Sequence, residues 1–301
     1  MGVPSTGALV KLCFEPTTGT FDTSSEPYEI LSETLSYTEE HLDTNGIRGT
    51  RSHAKERVRV GAKNVAGAIT LNPSPADLTL LLPRILGTAE SSDTFALAET
   101  LPTFKVLVDR GGRTHDYSGC YVSRASFRSA APAGLLELTL DIIGTNEALG
   151  TSYPVLTLGT AAKDAPYVHS DATFTLAGNT EEVIESEIII DNQLTARHTN
   201  AQVAGAIISN DRIVTASFKL PYSSDEIALY PPILDGAAGG FAGIVAYVIG
   251  NMNLTFTFGK LQAPAESPTT TGREEITLTL NCTARAVGST KELVVVNDDT
   301  V

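Results

Sequence analysis

Tryptophan is absent from these 301 residues, methionine occurs twice, and aromatic residues make up only 6%. A ligand-gripping surface anchored on aromatic side chains therefore has little to draw on. Cysteine is scarce as well. Cys13, Cys120 and Cys282 are odd in number, far apart and set in apolar, strand-like contexts. That pattern argues against a disulfide framework and against a zinc site, and predicts buried free thiols in a reducing compartment. Basic residues are few: 21 Lys and Arg face 35 Asp and Glu, for a net charge of −14. The acidity is spread, with 13 bases against 18 acids in residues 1–150 and 8 against 17 in residues 151–301. Nonspecific attraction to nucleic acid is disfavoured by that balance.

Other signals are missing too. The start, MGVPSTGALVKLCFEP, has no basic segment followed by an apolar core, so no secretory signal is expected. The run GAAGGFAGIVAYVIGNM (236–252) is too short and too glycine-rich to span a bilayer and reads as a buried strand. A soluble, intracellular protein without a membrane partner is the expectation. There is no G-x-S-x-G, no G-x-x-x-x-G-K-[ST] and no H-E-x-x-H. GGFAGI (239–244) lacks dinucleotide-loop spacing and points to close backbone packing. His41, His53, His115, His169 and His198 have no partner at metal-ligand spacing and are expected on loops or the surface. Neither an enzyme, nor a metal, nor a cofactor is called for.

What the chain does contain is repetition. VAGAITLNPSPADLTLLLPRILG (65–87) and VTASFKLPYSSDEIALYPPILDG (214–236) each read as strand, turn and short apolar helix. At an offset of 149, Val65 meets Val214, Leu71 meets Leu220, Pro83 meets Pro232 and Gly87 meets Gly236. Upstream the same offset pairs Lys63 with Arg212, Thr50 with Thr199 and Arg48 with Arg197. In the first helix, Ser74 is the expected N-cap, Pro75 opens the first turn, Gly87 is the stop, and Leu78, Leu81 and Leu82 form the apolar face. Ser223 or Ser224 and Gly236 repeat that logic, and Pro83 and Pro232 are expected to interrupt the two helices. Downstream, Leu138-Thr139-Leu140 matches Leu278-Thr279-Leu280 at an offset of 140. Alternation of apolar and polar residues marks these segments as half-solvated antiparallel strands. The predicted fold is mainly β: two tandem antiparallel sandwich-like or barrel-like domains, residues 1–155 and 156–301, each with one short flanking α-helix.

One dense charge block stands out in the acidic chain. RGTRSHAKERVRVGAK carries Arg48, Arg51, Lys55, Arg57, Arg59 and Lys63 against Glu56, a local charge of +5. It reads either as a solvated loop or as a loop that docks on an acidic surface of another copy, head to tail. Nucleic-acid binding ranks last, since the block lacks interleaved aromatics.

The run RGTRSHAKERVRVGAKNVAGAITLNPSPADLTLLLPRILG resembles the tail tube proteins of long-tailed bacteriophages, and both repeats together extend the resemblance over nearly the whole chain. It implies a self-assembling structural protein whose rings stack into a hollow tube for DNA ejection. Inner sheets of neighbouring subunits would join into a barrel around an acidic lumen, and a long loop between two early strands would reach the adjacent ring. Single-domain members form hexameric rings, so a duplicated chain implies a trimeric, pseudo-hexameric ring. The implied partners are other copies of this chain, the tape measure, distal tail and tail terminator proteins, and DNA passing without specific binding. The implied location is the virion tail, assembled in the host bacterial cytoplasm.

Carried onto this chain, the stacking loop is residues 45–63, with Arg48, Arg51, Lys55, Arg57, Arg59 and Lys63. Its counterpart is 194–212, with Arg197 and Arg212. Strand alternation nominates Glu137, Thr139, Asp141, Glu185, Glu187, Glu275, Thr277 and Thr279 for the lumen, because their neighbours Leu138, Leu140, Leu278 and Leu280 turn to the core. The competing expectation is a two-domain β-sandwich binding module, such as a capsid decoration or receptor-binding protein.

Overall fold

A computed structural model describes residues 10–15, 28–43, 46–47, 49–110, 113–150, 165–222, 239–264 and 275–300. Among the described residues nine strands precede residue 151: β1 Val10–Glu15, β2 Ser32–Glu33, β3 Ser36–Asp43, β4 Val58–Leu71, β5 Thr94–Ala96, β6 Phe104–Arg110, β7 Thr114–Ala130, β8 Glu137–Gly144 and β9 Asn146–Gly150. Ten follow: β10 Ala172–Leu176, β11 Asn179–Glu181, β12 Glu185–Asp191, β13 Leu194–Arg197, β14 Ala206–Ser209, β15 Ile213–Pro221, β16 Phe241–Ile249, β17 Met252–Gln262, β18 Thr277–Arg285 and β19 Leu293–Asp298. Every ladder between them is antiparallel, so the chain is mainly β, as the alternating pattern predicts.

The order of pairing recurs. In the first half β1 lies on β6, β6 on β7, β7 on β8, β8 on β4 and β4 on β3. In the second half β10 lies on β16, β16 on β17, β17 on β18, β18 on β15 and β15 on β12. Register recurs with it: Leu71 faces Leu138 and Ile69 faces Leu140, while Leu220 faces Leu278 and Phe218 faces Leu280. Upstream the offset changes. Tyr37 faces Val65 and Ile190 faces Val214, which relates β3 to β12 by 153 residues instead of 149. The two connecting loops therefore differ by four residues, and no ladder fixes Arg48 opposite Arg197 in the comparison.

The helix α1, Pro75–Leu86, starts where its chemistry demands. Ser74 Oγ accepts from the Asp77 N–H at 3.2 Å and Asp77 Oδ2 accepts from the Ser74 N–H at 3.1 Å, a reciprocal cap. Gly87 ends it in the left-handed region at φ 93°, where a side chain would be strained. Pro83 does not interrupt the helix, contrary to expectation. It removes one backbone bond, but Leu78, Leu81, Leu82, Ile85 and Leu86 are all buried and hold the last turn in place. The expected second helix, 223–236, lies outside the described residues.

One hydrophobic cluster runs through both halves, from Leu35, Ile69 and Phe127 to Phe218, Phe256 and Val295. Ladders and side-chain bonds join the halves directly. β12 pairs with β7 from Glu185–Ala130 to Asp191–Arg124. The last strand, β19, pairs with β5. Asn297 Nδ2 donates to Pro75 O and Thr79 Oγ1 at the start of α1, at 3.0 and 2.8 Å. Gly243 in β16 makes room for a neighbour: a Cβ there would sit 2.4 Å from Leu261 Cδ1.

Two side-chain expectations meet different outcomes. Cys120 and Cys282 are free and buried, and desolvation pushes each thiol up to about 12. The side chain of Cys13 lies outside the description. His169, expected at the surface, is buried. Its Nε2 donates to the Val183 carbonyl, which only accepts, at 2.7 Å, and its Nδ1 is 2.8 Å from Ser129 Oγ. Ser129 also meets Tyr247 Oη at 2.8 Å and Ser186 Oγ at 3.1 Å. This satisfied network makes a buried histidine tolerable.

Candidate functional site

β3, β4, β8, the second part of β7, β12, β15 and β18 form one continuous antiparallel sheet. Its inner face is core: Val122, Ala125 and Phe127 of β7, Leu138 and Leu140 of β8, Ile188 and Ile190 of β12, Phe218 of β15 and Leu280 of β18 are buried. A bulge between Val122 and Arg124 keeps both Val122 and Ala125 pointing inward despite their odd spacing. Residues between the buried ones share the opposite face, because cross-strand partners lie on the same side of a sheet.

That opposite face gathers the sequence-derived lumen candidates. One row runs Thr70, Thr139, Ser126, Ile189, Thr215 and Thr283; a second runs Glu137, Arg128, Glu187, Ser217 and Asn281; a third runs Ala130, Glu185, Lys219 and Thr279. Asp141 lies in a row with Ala68, Arg124 and Asp191, and Thr277 faces Pro221. Glu137, Thr139, Asp141, Glu185, Glu187, Thr277 and Thr279 are thus brought together on one surface. Glu275 is exposed but precedes β18 and joins no row.

Sequence reasoning missed the cations on this face. Arg124 sits across from Asp141 on one side and Asp191 on the other. Arg128 is flanked in the same way by Glu137 and Glu187, and Lys219 faces Glu185. Arg128 Nη2 is 2.5 Å from Glu185 Oε1, and hydrogen bonding to Glu185 raises the guanidinium pKa above its ordinary value. Ser126 Oγ donates to Glu187 Oε1 at 2.8 Å. Arg285 continues the same face of β18 and donates through Nε to Gln262 Oε1 at 3.3 Å, so five carboxylates (Glu137, Asp141, Glu185, Glu187, Asp191) meet four cations and the face stays net acidic. The alternation in SRASFRS of β7 carries the signal that would have found Arg124 and Arg128.

The basic residues divide. Arg51 is exposed on the loop between β3 and β4; Lys55 and Arg57 are exposed in a 3₁₀ turn, Lys55–Arg57, that opens β4. Arg59 is exposed opposite Leu42. Arg48 lies outside the described residues. Lys63 is half-buried, and its N–H donates to Gln202 O at 2.9 Å. Arg197 is exposed on the small β13–β14 hairpin. Arg212 is turned inward: Nη1 donates to Ala98 O at 2.6 Å and Nη2 is 3.9 Å from Glu292.

An exposed basic hairpin and a wide, net-acidic sheet face of alternating charges are features that suit association with other surfaces. Among the described residues no group of three His, Cys, Asp or Glu is placed to hold a metal ion, and no helix is long and apolar enough to cross a membrane. The chain belongs to the phage tail tube protein family, whose model matches residues 5–284. No curated protein matches the chain. It is accordingly a structural component of the virion tail.

Proposed function

We propose that copies of this chain assemble into rings that stack into the hollow conduit through which phage DNA is ejected. The carrying observation is the polar face of the continuous sheet, which combines strands of both halves, is net acidic, and flanks Arg124 and Arg128 with carboxylates on both sides. Facing a lumen, such a net-acidic wall repels phosphate, so DNA gains little by pausing on it. The recurrent pairing order supports reading the chain as two copies of one domain. Three chains then supply six quasi-equivalent positions, and the proposed ring is a trimer. Ring closure also covers strand edges that a lone sheet leaves open. The exposed basic hairpin between β3 and β4 supplies contacts to the next ring against an acidic body. Tape measure, distal tail and tail terminator proteins are the partners such a tube requires at its interior and ends.

Negative-stain images of the purified protein test the reading. Rings with a central hole, three-fold in end-on averages and stacking into tubes, are the expected result. A monodisperse monomer at every concentration and salt would sink it.

A further inference from the structure

The loop of the second half shows how these loops are seated. Within residues 192–206, His198, Gln202 and Val203 lie against β4 of the first half. The Lys63 N–H donates to Gln202 O at 2.9 Å, Gln202 Nε2 donates to Val60 O at 2.8 Å, and His198 Nε2 is 3.0 Å from Asn64 Oδ1. Lys63 and Val203 form a parallel bridge, and Ala204 is buried. The loop takes the stretch of β4 that β8 leaves open, since β8 pairs with β4 only from Val65 to Leu71.

In the second half no described residue pairs along the same edge of the equivalent stretch. β18 pairs with β15 only from Thr215 to Pro221. Just before it, Ser209, Asn210 and Asp211 are exposed and line an open groove of about 470 Å³ that also includes Glu99 and Glu292. A second open position agrees with the first. β12 carries β7 on its outer edge, while no strand among the described residues pairs with the outer edge of β3.

We propose that the groove at Ser209–Asp211 seats the loop segment 49–55 of a second copy of this chain, as the 192–206 loop is seated on β4 within one copy. Applying the internal junction once more places the β3 edge and this loop of one copy against the second half of the next, and a head-to-tail contact repeated in this way closes a ring. Charge agrees. The segment carries exposed Arg51 and Lys55, and the groove lining is net acidic by one charge: Glu99, Asp211 and Glu292 stand against Arg212 and Lys291, with Lys291 bound to Glu99 and Arg212 near Glu292, which leaves the exposed Asp211 for the incoming loop. The inference rests on the ring reading above and refines it: Arg51 and Lys55 serve the neighbour within a ring, leaving Arg57 and Arg59 for the next ring.

Two cysteine pairs in the full chain test it, Ala54→Cys with Asp211→Cys and Thr50→Cys with Asp211→Cys, which together span the four-residue difference between the loops. After assembly and mild oxidation, at least one pair should cross-link. On a non-reducing gel its ladder should stop at the number of copies per ring counted in end-on images, and the single variants should give no ladder. Rings without cross-links from either pair would overturn the seat while leaving the ring intact. A ladder running past the ring number would overturn it too, because it marks a contact between rings. If the unmutated protein forms no rings, the ring reading fails, and the seat fails with it.

Discussion

Arg128 of β7 and Glu185 of β12 meet across the ladder that joins the two halves, with Nη2 2.5 Å and Nε 2.9 Å from one carboxylate oxygen. Both side chains are more than a third exposed, at 56% and 37%, so the pair is worth little to stability, on the order of 0–1 kcal/mol. What it does is occupy a cation on the polar face. Arg128→Ala should therefore shift the urea midpoint only slightly, and its unfolding curve should keep the wild-type slope.

The reverse change should alter behaviour toward DNA. Glu185→Gln with Glu187→Gln leaves Arg128 with fewer neighbouring carboxylates. Retention of short duplex DNA at low ionic strength should rise above the wild-type level, with a salt slope steeper by about one unit for each freed cation. Fluorescence anisotropy across a salt series reads this directly. Unchanged, negligible binding would reject the idea that neutralisation is what keeps the face slippery.

Ser129 should matter far more to folding than its size implies. Its hydroxyl serves His169, Tyr247 and Ser186 at the buried junction of the halves. Ser129→Ala leaves those groups short of a partner, at a cost of about 1–3 kcal/mol. Urea unfolding should show a lowered midpoint. A change within error would mean that the network repacks around the loss.

The basic hairpin offers a separable assembly phenotype. Reversing Arg57 and Arg59 to Glu should shorten tubes more than it depletes rings, measured as tube length and ring count on the same grids. Tubes of wild-type length would remove both residues from ring-to-ring contact.

Thiol chemistry reports on the core. Burial holds Cys120 and Cys282 protonated, each with a pKa of about 12, and only the thiolate attacks alkylating reagents. At pH 8 both should resist alkylation in the native protein and react in urea, with peptide mapping by mass spectrometry assigning each site. Fast native labelling at either position would mean that its strand opens locally.

The sequence carried much of this. Period-two alternation in LELTLDI and TLTLNCT determined which residues turn to the core, and the strands agree residue by residue. Ser74, Asp77 and Gly87 determined where α1 begins and ends, because capping is local chemistry. Pro83 was misleading for the same reason: a local rule forbids it mid-helix, and a buried apolar face overrules the rule at the cost of one hydrogen bond.

Long-range pairing was not legible. Nothing in ESEIIID or SRASFRS says that β12 lies against β7, or that Arg128 falls between Glu137 and Glu187, since residues far apart in the chain meet only through ladder register. Arg212 illustrates the same limit. Its place in the second loop suggested an outward contact, and tertiary packing turns it onto Ala98 O. The chain by itself determined the strands, their buried faces and the excess of acid. Only the tertiary structure decided how those faces combine into one surface and which charges neutralise each other there, because cross-strand neighbours are set by the whole sheet and not by any segment within it.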